Sequence, residues 1–197
     1  MSTRQLVNKI KAMKRLIISL FVIVVAFSTA MAQRRTVEQI RKVYNETVAA
    51  AAKANEYESM LNCVTINRRE MMHGIGWQEG KVEIYYAREE YDPDIHGDKM
   101  DNSHPVLIRE SYNVAARTYY REFLYDKDGL MFCMFKDGDN NANEPAEKRF
   151  YFNGKYLIKS IPSGYSHINA YNLGIRLQDF AKVIIANAAI DLRTGEQ

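Results

Sequence analysis

The chain has 197 residues, with 27 Lys and Arg against 24 Asp and Glu, four His, two Cys and one Trp. That length suits one domain, and a composition of 47% hydrophobic and 26% charged residues excludes a disordered or fibrous chain. Two cysteines are too few for a disulfide scaffold or a four-thiolate zinc site.

Residues 1–32 carry five bases (Arg4, Lys9, Lys11, Lys14, Arg15) and no acid. An apolar run from Leu16 to Phe27 follows, broken only by Ser19, and then Ala30-Met31-Ala32. A basic start, a short apolar stretch and an Ala-x-Ala ending predict a secretory signal peptide over 1–32, cleaved before Gln33. The run of 12 residues is too short to span a bilayer, which takes roughly 20. Met13-Lys14-Arg15 is a second candidate start beside Met1. The nearest Cys is Cys63, far from the cleavage point, which argues against lipid anchoring. The expected mature chain, 33–197, is a single domain with no membrane span, exported to the periplasm or beyond. It holds 22 bases and 24 acids, a net charge of −2, so the basic balance of the whole chain belongs to the leader. Nucleic-acid binders carry an excess of base, so nucleic acid is not an expected partner.

Thr36-Val37-Glu38-Gln39 has the form of a capping box, and Val37, Ile40, Tyr44, Val48 and Ala51 recur at helical spacing. A helix is predicted over 37–57. The middle of the chain reads as strands: 61–69, 81–87, 106–116, 117–125, 130–136, 149–152 and 155–159. Gly74, Gly76 and Gly80 predict a long hairpin loop between the first two. Asp126-Lys127-Asp128-Gly129 and Asn153-Gly154 are hairpin turns, since tight turns need the positive φ that glycine supplies. In the last hairpin, pairing Phe152 with Lys155 sets Phe150, Phe152 and Leu157 on a core side, with Arg149, Tyr151, Tyr156 and Ile158 on the other. Leu130 to Phe135 is apolar at both parities and predicts a central strand covered on both faces. Leu173, Leu177, Phe180, Ala181, Ile184 and Ala188 form a helical stripe, with Asn169 as the N-cap. Helix, strands, then helix, without β-α-β alternation, predicts an α+β fold. It is an antiparallel meander of about six to seven strands packed by an N-terminal and a C-terminal helix.

Motifs with chemistry are sparse. The acidic loop 88–104 offers Asp92, Asp94, His96 and Asp98 as candidate metal ligands, and its start resembles an EF-hand loop. His96 stands at the fifth ligand position and Ser103 at the twelfth, so two ligands fail. The 137–145 loop fails likewise, with Ala142 where the sharp turn needs glycine. Glu70-Met71-Met72-His73 lacks the second His of a zincin helix, and Gly164-Tyr165-Ser166-His167-Ile168 lacks the closing glycine of a nucleophile elbow. No phosphate-binding glycine loop is present, and no cofactor is implied. Cys63 and Cys133 are a candidate disulfide in an exported chain, with two buried free thiols as the alternative.

Thirteen tyrosines, many on strands, are the most suggestive content. Tyrosine joins an apolar body to a polar tip, which suits protein surfaces and sugar faces. Arg109, Arg117 and Arg121 beside Tyr119 would form a cationic strip able to grip a carboxylate or phosphate, with Trp77 on a nearby loop. Tyr and Arg that merely cover a half-exposed sheet are the plainer reading.

The block Tyr119-Tyr120-Arg121-Glu122-Phe123-Leu124-Tyr125-Asp126-Lys127-Asp128-Gly129-Leu130-Met131-Phe132, with Arg149-Phe150-Tyr151-Phe152-Asn153-Gly154-Lys155-Tyr156-Leu157-Ile158, resembles small exported proteins of Bacteroidetes. The resemblance implies a secreted protein and transfers no catalytic residue. The expected function is a non-enzymatic binding module using an aromatic, Arg-bearing sheet face, with a protein, a glycan or an acidic small molecule as partner. Two alternatives stand beside it: a small hydrolase or metal-dependent enzyme working through the 88–104 loop, and a structural subunit of an envelope assembly.

Overall fold

Thr36 begins the first helix, α1 (Val37–Ala51), through the expected capping box: Gln39 N donates to Thr36 Oγ1 at 3.3 Å, and Thr36 N donates to Gln39 Oε1 at 2.8 Å. The computed structural model describes residues 35–56, 59–87, 103–115, 117–137 and 146–194, with side chains as far as 188. The predicted leader over 1–32 and the acidic-loop residues Asp92, Asp94, His96 and Asp98 lie outside the described residues. Helix α1 ends at Ala51, short of the predicted 57. The chain then turns through Asn55, whose φ of 67° is left-handed, a conformation Asn tolerates better than most residues.

Seven strands follow: β1 (Leu61–Met72), β2 (Gly76–Ala87), β3 (His104–Val114), β4 (Arg117–Asp126), β5 (Gly129–Asp137), β6 (Glu147–Asn153) and β7 (Tyr156–Ile161). They form one antiparallel sheet in chain order, β1 to β7. Helix α2 (Ile168–Thr194) closes the described chain. The α+β meander between two terminal helices is therefore as predicted.

The loop predicted from Gly74, Gly76 and Gly80 is instead a tight turn. β1 and β2 stay paired as far as Met72 and Gly76, which makes the longest hairpin of the sheet. Gly80 is an ordinary strand position inside it.

Each face of the sheet carries its own core. Val82, Ile84, Ile108, Phe123, Cys133, Phe150 and Phe152 line the α2 face, against Ala170, Ala181 and Ile185. Leu61, Tyr85, Leu107, Leu124, Phe132, Met134 and Tyr151 line the α1 face, against Val37, Ile40 and Ala51. Single extra residues interrupt three ladders, at Val106, Met131 and Ile158. At Met131 the extra residue turns both Met131 and Phe132 to the α1 core. The central strand β5 is thus buried on both sides, as its apolar composition requires.

The last hairpin departs from the predicted register. Asn153 pairs with Tyr156 and Phe152 with Leu157, because Gly154 and Lys155 together form the turn. Phe150, Phe152 and Leu157 do share the α2 core. Tyr151, expected on an open side, is buried under α1 and only 1% exposed.

Of the predicted α2 stripe, Leu173, Leu177, Ala181 and Ile184 pack on the core, but the most buried line runs beside it. Gly174, Gln178, Ala181 and Ile185 face the sheet, while Phe180 is 43% exposed. Gly174 sets the approach: a Cβ there would stand 2.7 Å from Leu130 Cδ2 and 3.2 Å from Phe123 Cδ1. Tyr125 OH donates to the Gly174 carbonyl at 2.8 Å across the same contact.

Cys63 and Cys133 are both free. Cys133 belongs to the α2 core, and Cys63 packs against the α1 core from edge strand β1, four strands away. Strands lie about 4.8 Å apart, so the separation is near 20 Å and a bridge between them is excluded.

Candidate functional site

The long β1–β2 hairpin and the facing ends of β3 and β4 extend the sheet past the helix-covered cores. On the α2 face of this end, two rows of side chains lie side by side. One row runs Ile66, Val82, Glu110, Arg121 and Phe135; the next runs Arg68, Gly80, Tyr112 and Tyr119. The first row grades from core into charge. The second has a gap at Gly80, where a Cβ would sit 3.3 Å from Tyr112 Cβ and 3.8 Å from Arg68 Nε.

Arg68 reaches across that gap, and its Nη2 donates to Glu110 Oε1 at 2.6 Å. Arg121 Nη1 donates to Glu110 Oε2 at 3.4 Å, and its Nη2 donates to Tyr112 OH. The Arg121 guanidinium lies over the Tyr112 ring at 4.9 Å and the Phe135 ring at 5.7 Å. Tyr112 in turn stacks on Tyr119, with centroids 4.9 Å apart and planes 8° from parallel. Glu110 is buried, yet one carboxylate serves two guanidiniums. Arg121 Nε is buried and has no hydrogen-bond partner. Arg68, Gly80, Glu110, Tyr112 and Arg121 line a cleft of about 290 Å³ together with Glu70, Gln78 and Glu79. A second hollow of about 510 Å³ lies on the opposite face of the same end, lined by Asn67, Lys81, Ser111, Asn113 and Thr118 among others.

Arg117, Tyr119 and Arg121 share the cleft face, but Arg109 does not join the predicted strip. Val114 pairs with Arg117, so each odd position of β3 faces an even position of β4, and Arg109 pairs with Glu122 on the α1 face. Trp77 lies on a strand rather than a loop, near the tip of the β1–β2 hairpin. It is 56% exposed and stands opposite Met71, with the Arg69 guanidinium 4.8 Å over its ring.

The network around Glu122 was not legible from the sequence. Its carboxylate accepts from Arg109 Nε at 2.9 Å, from Tyr120 OH, and from Tyr44 OH of α1. Burial raises both tyrosines well above the ordinary phenol range, and the bond to Glu122 raises them further. A carboxylate held by three donors is a firm anchor, and this one fastens α1 to the sheet. Arg41 Nε adds a bond to Tyr151 OH at 3.2 Å on the same helix.

Among the described residues no group of three or more His, Cys, Asp and Glu is arranged to hold a metal, and no helix is long and apolar enough to cross a membrane. No protein-family model, curated protein or solved structure matches the chain.

Proposed function

We propose that this protein is an exported binding module that takes a small acidic molecule, through a carboxylate or phosphate group, into the cleft between Arg68, Tyr112 and Arg121. The observation that carries the reading is Arg121 Nε, a buried donor without an acceptor beside two guanidiniums that share a single carboxylate. A buried unsatisfied N–H is costly, and an incoming anion oxygen would relieve it. Tyr112 in the cleft wall offers apolar contact and a hydroxyl to the rest of such a ligand. Export is supported by the basic, apolar and Ala-x-Ala pattern of residues 1–32.

A thermal-shift panel of organic acids, acidic sugars and sugar phosphates tests this. A true ligand at 100 times its dissociation constant stabilises the fold by about 2.7 kcal/mol. Arg121→Gln and Gly80→Val, which respectively remove the donor and fill the gap, are expected to abolish the shift. Absence of any shift with anionic ligands, or a shift unchanged in both variants, overturns the reading.

A further inference from the structure

The two edges of the sheet are finished differently. β7 is six residues long, is interrupted by the extra residue Ile158, follows Lys155 and carries Lys159. Short, bulged, Lys-bearing edges resist pairing with other chains. β1 is 12 residues long and pairs with β2 without interruption from Leu61 to Met72.

The outward-facing backbone groups of β1 can be identified from Asn55. Its N donates to Leu61 O at 3.1 Å, its Oδ1 accepts from Cys63 N at 2.8 Å, and its Nδ2 donates to Cys63 O at 3.3 Å. Leu61 and Cys63 therefore turn their amide and carbonyl away from β2. Because the period is two and the ladder has no bulge, Thr65, Asn67, Arg69 and Met71 do the same. Asn55 acts as a one-residue substitute strand over the start of this edge. Among the described residues no backbone bond reaches the outward groups from Thr65 to Met71.

We propose that this open half of β1 pairs, antiparallel and about a two-fold axis at Arg69, with β1 of a second copy of the chain. The strand carries its own complement. Pairing about Arg69 sets Arg68 against Glu70 of the second copy, and Ile66 against Met72, each contact occurring twice on one face. The neighbouring registers lose this match. An axis at Asn67 sets Arg68 against Ile66 and Glu70 against Val64, and an axis at Arg68 sets that guanidinium against itself. At the chosen axis Arg69 meets its own copy, the single like-charged contact. Each Arg69 is drawn aside over Trp77 at 4.8 Å, with Glu79 at 3.9 Å. Asn67, Arg69 and Met71 then exchange backbone hydrogen bonds with Met71, Arg69 and Asn67 of the second copy, and two seven-stranded sheets become continuous.

Sedimentation velocity over a dilution series is expected to show a concentration-dependent dimer. Asn67→Pro removes one outward amide at an edge position where proline is tolerated. It is expected to weaken the dimer at least about tenfold while leaving the circular dichroism and melting temperature near those of the parent. Arg69→Cys, in a Cys63→Ser background, places two thiols on Cα atoms about 5.5 Å apart across a hydrogen-bonded pair, within disulfide reach. It is expected to cross-link under mild oxidation, whereas Tyr156→Cys on β7 is not. A monomer at every concentration overturns the proposal, as does a dimer that withstands Asn67→Pro with no Arg69→Cys cross-link. If Asn67→Pro fails to fold, the cross-link decides alone.

Discussion

Gly174 concentrates several constraints in one residue. In an exposed helix position Gly→Ala would gain about 1 kcal/mol of helix propensity. Here the added methyl meets Leu130, which is itself 2% exposed and walled in by the core, so it has little room to yield. Gly174→Ala is expected to destabilise the fold by about 1–2 kcal/mol net of the propensity gain, read as a lower urea midpoint with unchanged slope. Tyr125→Phe, which leaves the Gly174 carbonyl without its donor, is expected to cost about 1 kcal/mol in the same assay. The two thiols differ as sharply. Burial raises the thiol pKa of both, and Cys133 is fully enclosed while Cys63 is half-buried at an edge.

The first helix is held to the sheet by polar contacts as much as by apolar ones. It buries only Val37, Ile40 and Ala51 deeply, and Tyr44 and Arg41 then fix its position through Glu122 and Tyr151. Glu122→Gln keeps the shape but removes the charge that Arg109, Tyr44 and Tyr120 all address. The expected loss is about 2–3 kcal/mol, below the range for a fully buried pair because Arg109 keeps partial access to solvent. The same contacts give α1 an alkaline weakness. Tyr44 and Tyr120 hold their protons in the folded state to a higher pH than in the unfolded chain. Below the ordinary tyrosine value, about 10, both states are protonated and these groups add no pH dependence. Above it the unfolded chain releases its protons first, so stability falls as pH rises. Urea midpoints measured from pH 8 to 11 are expected to drop beyond pH 10, and to drop less in the Tyr44→Phe variant.

At the scale of the whole molecule, the order of elements was legible because each one is punctuated locally. Thr36 and Gln39 start α1, Gly129 and Gly154 close hairpins, and β5 is apolar at both parities. What escaped needed pairing information. The cationic strip failed on the parity of one turn, since Arg109, Arg117 and Arg121 are all odd-numbered yet the β3–β4 hairpin sets odd against even. The α2 stripe was right at Leu173, Leu177, Ala181 and Ile184 and wrong at Phe180, while the buried Gly174 and Gln178 carry no hydrophobic signal. Gly80 read as loop because a glycine inside a strand cannot be told from one in a turn until its neighbours are known. The cleft depends on that same gap, and the Glu122 anchor on contacts between residues 78 positions apart, so neither has a local signature.

Spatial order equal to chain order also shapes how this sheet assembles. Every strand pairs with the next one along the chain, so zippering needs no distant encounter and proceeds one loop closure at a time. The exception is the first helix, whose anchors Tyr151 and Glu122 lie 110 and 78 residues downstream of Arg41 and Tyr44. It has no complete landing surface until β6 is in place, which makes its docking a late event in assembly and its detachment an early one on unfolding.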